Sequence, residues 1–338
     1  MNKQEAATQG DPRHIWVDTA KGGAIILVVV GHTWRGMDSA GLLDKAPKGL
    51  FAAIDDRIYA FHMPLFFLLS GLFVVTTVRR LSASKFIANR VLRLFYPLVL
   101  WTYIFAAVKV LAGDLANDPI RLNELLISPI PGKWQFWFLW ALLMLQIGIL
   151  IVRPALTKKR WRRGAIYGIL LVSITLQVLP ISHAVHFWTS NALTYFPYLA
   201  IGMMLTEFGT NLLLAERKGP LYLFIFVIVL AAVPLLRQIP NSHLLTAVVL
   251  CLCSIGISIW WTDRQINQAS KLAFIGRYSM IIFLSHTIFS AGARETMIAF
   301  ITENILLNMI TATFVGIAFP IGLQRLTAQI MNPRMIGA

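Results

Sequence analysis

The chain has 338 residues, of which 57% are hydrophobic and only 13% charged, and its mean hydropathy is +0.69. Soluble domains carry about a quarter charged residues, so this composition excludes a soluble enzyme and indicates a polytopic, all-α membrane helix bundle. The formal net charge of +15 is read as a positive-inside bias and an attraction to anionic membrane lipids, not as a nucleic-acid footprint.

Apolar stretches of about 17–25 residues are long enough to cross a bilayer. Ten candidates occur, near 14–34, 58–78, 86–112, 134–153, 164–181, 190–208, 220–236, 243–262, 272–290 and 305–325. Ten crossings place both termini on one side. The loops RRLSASK (79–85), RPALTKKRWRR (153–163), ERK (216–218) and 264–277 carry most of the basic residues of that side, which is therefore expected to be cytoplasmic. The expected organisation is an N-terminal tail over 1–13, a single transmembrane domain over 14–326 and a C-terminal tail over 327–338. The polar N-terminus shows no signal-peptide pattern.

The first candidate, HIWVDTAKGGAIILVVVGHTW (14–34), carries three ionisable groups, Asp18, Lys21 and His32. Such groups are expensive inside a bilayer and by default face a cavity or a partner. Lys21 and His32 are about three helical turns, or roughly 16 Å, apart on one face, with Asp18 one turn from Lys21. If the helix runs outward, Lys21 lies in its inner half and His32 near its outer end. The second candidate places His62 near the outer end, with Pro64, Ser70 and Gly71 expected to shape the helix. The third places Arg90 and Arg93 close to the inner mouth. Trp134, Trp137 and Trp140 open the fourth and are expected as an interfacial aromatic belt. Asp55 and Asp56 are expected as solvated loop carboxylates.

His183 and His186 sit in a short loop without the spacing of a metal site, and no metal is expected. Cys251 and Cys253, at i and i+2 in a helix, are not a disulfide pair. The ninth candidate puts His286 near the outer end. A cationic cluster is thus expected inside, a histidine cluster outside, and a polar stripe between them. Arginine binds phosphate in a bidentate fashion, and a histidine with an ordinary pKa near 6.5 suits a general base. Coenzyme A fits both requirements: its phosphates match the cations, and its thin arm can carry a thioester toward His32.

The segment DTAKGGAIILVVVGH (18–32) resembles the first-helix signature of the membrane acyltransferase 3 family, a basic residue, ten residues and then histidine. FHMPLFFLLSG (61–71), Arg90-Val91-Leu92-Arg93 and IGRYSMIIFLSH (275–286) are similar to three further segments of that family, in the same order. The resemblance implies an O-acyltransferase that moves an acyl group, most often acetyl, from cytoplasmic acyl-CoA to a hydroxyl of a cell-surface glycan or lipid-linked sugar. It looks closest to the sugar O-acetyltransferase branch. It implies His32 as catalytic base, with Asp18, Lys21, His62 and His286 in the catalytic constellation. It implies Arg90, Arg93 and Lys21 at the donor, no metal, and a multi-pass protein of a bacterial inner membrane. Lys21 departs from the commoner arginine and acts only as a point charge. The alternative is a proton-coupled secondary transporter or flippase that uses the Asp18, Lys21 and His32 stripe as its relay. Oligomeric state is not legible, because lipid-facing and subunit-facing apolar surfaces look alike.

Overall fold

The computed structural model describes residues 15–43, 48–121, 129–130, 132–178, 187–209, 218–264 and 266–327. Among them there are helices and turns and no strand. The long helices are α1 (Ile15–Ser39), α2 (Lys48–Tyr59), α3 (His62–Arg80), α4 (Ala83–Arg90) and α5 (Tyr96–Ala112), then α6 (Trp137–Gly148), the short α7 (Arg153–Thr157) and α8 (Lys159–Val178). They continue as α9 (Phe187–Phe208), α10 (Gly219–Leu236), α11 (Ser242–Arg264), α12 (Ile266–Arg277), α13 (Ser279–Phe300) and α14 (Ile305–Thr327).

A helix exists at each of the ten expected places, but length and apolarity qualify only seven described spans. The count rises to eight if α12 and α13, interrupted at Tyr278, are one broken span. Helices α8 and α9 are long enough but too polar: α8 opens on KRWRR, and α9 carries Thr, Ser, Asn and Tyr through its first half and Glu207 near its end. The expected single helix over 272–290 is therefore two pieces, and the second runs ten residues further than the sequence suggested. Helix α14 continues through Pro320. The tails and the His183–His186 loop lie outside the described residues.

The chain divides into two compact, interleaved units. The first comprises Met1–Val28, Gly49–Phe66 and Thr210–Ser279. Its α10 and α11 pair as a hairpin, closed by a turn in which Asn241 takes a left-handed backbone (φ 61). Arg237 at that turn donates to Asp56 at 2.7 Å; Asp56 stays 42% exposed, but it lies in α2 and not in the expected loop. Helix α1 packs on α12 at a glycine contact: a Cβ on Gly22 would lie 2.1 Å from the Leu272 carbonyl oxygen. Cys251 and Cys253 are buried free thiols.

The second unit comprises Val29–Lys48, Phe67–Gly209 and Met280–Ala338. Gly71 on α3 meets Gly202 on α9 so closely that a Cβ on either would fall within about 2 Å of the other helix's carbonyl oxygens. Without a hydrophobic drive between helices in lipid, small residues that permit such approach decide where helices cross. Ser70, next to this crossing, accepts a 2.7 Å hydrogen bond from Gln146 on α6. Phe67 stacks on Tyr195 and meets Phe138 edge-on, and Phe138 in turn meets Phe283. That aromatic cluster ties α3, α6, α9 and α13 together directly beneath His286. A second polar tie, Arg162 to Glu207 at 2.6 Å, joins α8 to α9 and is largely buried.

Candidate active site

His286 sits on α13 with no exposed surface. Its Nδ1 donates to the Ile282 carbonyl at 2.8 Å and the Phe283 carbonyl at 3.0 Å. Carbonyls only accept, so the proton resides on Nδ1 and the Nε2 lone pair is left over. Nε2 is buried and makes no hydrogen bond with any described residue. Against this fixed ring lies the ring of His32 from α1, edge to face, with centroids 5.0 Å apart and planes at 67°. The two histidines singled out from the sequence at positions 32 and 286 are thus brought into contact.

His32 is half-buried and forms part of the wall of a cavity of about 630 Å³. Helices α1, α5 and α13 and the turn Trp134–Phe136 enclose it. The wall is largely apolar, and polar groups are concentrated at a few places. Gln135 donates to Thr287 at 3.0 Å, one turn from the His286 backbone bonds. Lys109 pairs with Asp118 at 2.7 Å and lies 5.1 Å from the centre of the Trp134 ring. Arg294, almost fully buried, binds Glu295 through Nε and a terminal nitrogen. The same terminal nitrogen donates to Asn117, which donates onward to the Gly36 carbonyl. Gly36 leaves room for the Arg294 guanidinium, since a Cβ there would come 2.7 Å from it.

Lys109, Asn117, Asp118, Arg294 and Glu295 were not singled out from the sequence. Arg294 and Glu295 had a signal: they are ionisable residues in an apolar helix, somewhat over two turns beyond His286 on α13. Ending that helix at residue 290 hid them. Trp134 also lines the cavity, on a left-handed backbone (φ 48) that costs a non-glycine residue about 1 kcal/mol or more.

The remaining expected residues fall into separate groups. Arg90 precedes and Arg93 lies within a π-helical turn, Val91–Phe95, that interrupts the path from α4 to α5. Such wide turns recur at functional sites. Ser82 caps the N-terminus of α4 by accepting from the Lys85 amide. Arg90 lies over the Phe86 ring, 4.7 Å from its centre, and its Nε is buried without a hydrogen-bond partner among the described residues, while Arg93 is exposed. In the first unit, Lys21 pairs with Asp18 at 3.4 Å, both partly exposed. His62, also there, binds the Ile58 carbonyl through Nδ1 and meets the Tyr59 ring edge-on. Among the described residues no group of three or more His, Cys, Asp or Glu side chains is arranged to hold a metal ion.

A helical membrane bundle with a paired-histidine cavity is the architecture in which the sequence match takes its meaning. Residues 14–325 match the acyltransferase domain family, and the chain belongs to that family. It is 30% identical over 180 residues to the nodulation protein NolL of Sinorhizobium fredii, covering 50% of this chain and 45% of that protein. It is 27% identical over 179 residues to NolL of Mesorhizobium japonicum, covering 50% and 44%. The chain thus aligns with a little under half the length of these curated relatives. No solved structure matches it.

Proposed function

We propose that this membrane acyltransferase moves an acyl group, acetyl in the simplest case, from cytoplasmic acyl-CoA to a hydroxyl of a cell-surface glycan or lipid-linked sugar. The observation that carries the reading is the His32–His286 contact at a cavity wall. An imidazole presented to a mostly apolar cavity, and backed by a second ring of fixed tautomer, is the equipment of a general base. On this reading, His32 accepts the proton of the acceptor hydroxyl. The oxygen forms its bond to the thioester carbonyl carbon, and the carbon–sulfur bond then breaks. The departing thiolate takes a proton, so free CoA leaves and His32 returns to its neutral state. His286 acts as a positioning residue through the ring contact.

Arg90 and Arg93 are assigned to the donor's phosphates. Charge-assisted hydrogen bonds from guanidinium groups suit that chemistry, and the orphaned Arg90 Nε supports the assignment. Lys21 and Asp18 are assigned to the same donor chemistry as a pair whose net charge is near zero until an anion arrives. His62 is kept as a helix-end histidine that completes the constellation. The protein is placed in a bacterial inner membrane with both termini cytoplasmic, a reading that rests on the basic loops.

The test uses purified protein in nanodiscs with radiolabelled acetyl-CoA and a glycan acceptor. Label on the acceptor is the expected result. Label carried across the bilayer of proteoliposomes without covalent transfer assigns the chain to a transporter instead. Acyl-enzyme accumulating in the absence of acceptor replaces direct attack with an acyl-histidine route.

A further inference from the structure

The contact between His32 and His286 depends on the alignment of two helices that lie far apart in the chain, and one edge-to-face ring contact is too weak to fix that alignment alone. A polar bridge adds to it. Gly36 lies one turn past His32 on α1, and Arg294 lies somewhat over two turns past His286 on α13. Between them stands Asn117. Its Nδ2 donates to the Gly36 carbonyl at 3.0 Å, and its Oδ1 accepts from the Arg294 guanidinium at 3.0 Å. A carbonyl only accepts and a guanidinium only donates, so the amide has a single orientation that serves both. Bridging them takes a donor and an acceptor on one short planar group, which asparagine has and aspartate or alanine lacks. Arg294 is a firm anchor, being buried and held by Glu295 at 2.7 and 3.0 Å.

The segment that carries Asn117 is, by contrast, built to move. Helix α5 ends at Gly113, whose backbone (φ 53, ψ −128) lies in a region that only glycine occupies without strain. A single 3₁₀ turn follows, Gly113–Leu115, and buries none of its residues. One backbone hydrogen bond, from the Ala116 amide to the Gly113 carbonyl at 3.1 Å, closes it. Leu115 is 66% exposed and supplies no apolar anchor. What holds the segment down is polar. Asn117 makes the bridge, and Asp118 pairs with Lys109 of α5 at 2.7 Å through a carboxylate that is 77% exposed and so weakly bound. Segments with little buried apolar surface and exposed hydrogen bonds open at low cost. Leu115, Ala116, Asn117 and Asp118 also belong to the wall of the cavity beside His32, so lifting them opens it.

We infer that Asn117 is a positioning residue and the latch of a movable strap, Gly113–Asp118. With the strap down, the Asn117 amide ties α1 to α13 and seats His32 against His286. With the strap lifted about Gly113, ligands enter and leave the cavity and the two helices lose their tie. The chemistry is therefore assembled only when the cavity is closed. The inference rests on the acyltransferase reading only for what the seated His32 does.

Two measurements test it, one of them without turnover. Thr33, next to His32, is buried and lines the same cavity, and its hydroxyl has no hydrogen-bond partner among the described residues. Thr33→Cys is thus a reporter of opening. Its labelling rate with a methanethiosulfonate reagent is read in nanodiscs, with the unaltered protein, whose two thiols are buried, as the blank. Adding Asn117→Ala to Thr33→Cys is expected to speed labelling about tenfold, the shift in open population for one lost charge-assisted bond. Asn117→Ala without the reporter is expected to lower kcat about tenfold and leave the KM for acetyl-CoA unchanged, a split that a general loosening of the fold does not produce. Asn117→Asp keeps the acceptor for Arg294 and discards the donor for Gly36. Labelling in its reporter form is expected to stay slow, while kcat is expected to fall as in the alanine variant. A thermal unfolding midpoint equal to that of the unaltered protein qualifies each variant. Reporter labelling that is absent or unmoved by Asn117→Ala, or an aspartate variant as active as the unaltered protein, overturns the latch. Faster labelling in the alanine variant of a protein with no transferase activity keeps the strap and removes the acyltransferase reading.

Discussion

The ring of His32 meets the ring of His286 edge to face, 5.0 Å between centroids, and His286 cannot turn because two carbonyls hold its Nδ1 proton. A half-buried imidazole is thereby placed against one with a single permitted tautomer. The first prediction concerns the cavity-lining member of the pair, His32. His32→Ala is expected to lower acetyl transfer by about a hundredfold or more, the usual contribution of a positioned base, with expression and unfolding temperature unchanged. Transfer assays on matched nanodisc preparations check it, and near-normal activity would remove His32 from the chemistry.

His286 allows a finer test. Its ring packs on the aromatic cluster through Phe283, so His286→Ala is expected to cost both stability, about 2 kcal/mol by analogy with other buried large-to-small changes, and activity. His286→Phe keeps the ring edge but discards the Nε2 lone pair. If His286 only braces His32 by shape, the phenylalanine variant regains most of kcat; if Nε2 is needed, kcat stays low while the unfolding temperature recovers.

Arg90 precedes a wide helical turn that contains Arg93, and the Arg90 guanidinium has a spare donor at Nε. Replacing both by alanine is expected to raise the KM for acetyl-CoA about tenfold or more and to leave the acceptor KM nearly unchanged. A rise confined to the acceptor KM reverses the assignment of donor and acceptor ends.

Lys21 is paired with Asp18 at 3.4 Å, a loose geometry for an ion pair. Lys21→Arg is expected to retain activity if charge alone matters, and Lys21→Ala to lose it chiefly through the donor KM. Activity that survives Lys21→Ala but not Asp18→Ala would show the carboxylate, not the cation, to be the working member.

At the Gly71–Gly202 crossing, a methyl group on either residue has no room, because the nearest atoms are backbone carbonyls. Gly71→Ala is expected to destabilise the protein by about 1–3 kcal/mol, as overpacked cores do, and a lowered thermal midpoint in detergent measures it. An unchanged midpoint would mean that the α3–α9 contact opens easily.

Much of the membrane architecture was legible in the sequence, since a run of twenty apolar residues has few alternatives. Where reading failed, the cause was local. The stretch 272–290 looked like one helix because its apolar content continues through Arg277 and Tyr278, and only tertiary packing shows the break. Helix α8 begins among basic residues, so hydropathy could not fix its standing as a span. Within the site, His32 and His286 were legible because each is an isolated ionisable group in an apolar stretch. Lys109, Asn117 and Asp118 were not, because they sit at a helix end and in the following turn, where charged residues are ordinary. The bond between Asn117 and Arg294 spans some 180 positions and leaves no periodic trace.

The π-helical turn at Val91–Phe95 has a consequence for how this protein tolerates change in length. An α-helix advances about 100° per residue, and the wide turn absorbs one residue more than such a helix needs. Deleting a single residue inside it lets the segment close into a regular spiral while the turns on either side, Arg90 included, keep their facing. Elsewhere in a long helix a deletion has no spare loop of chain to consume and shifts the packing of every later turn. The five residues act as a slack link, the place where this chain can lose a residue without misaligning α5 or re-aiming Arg90.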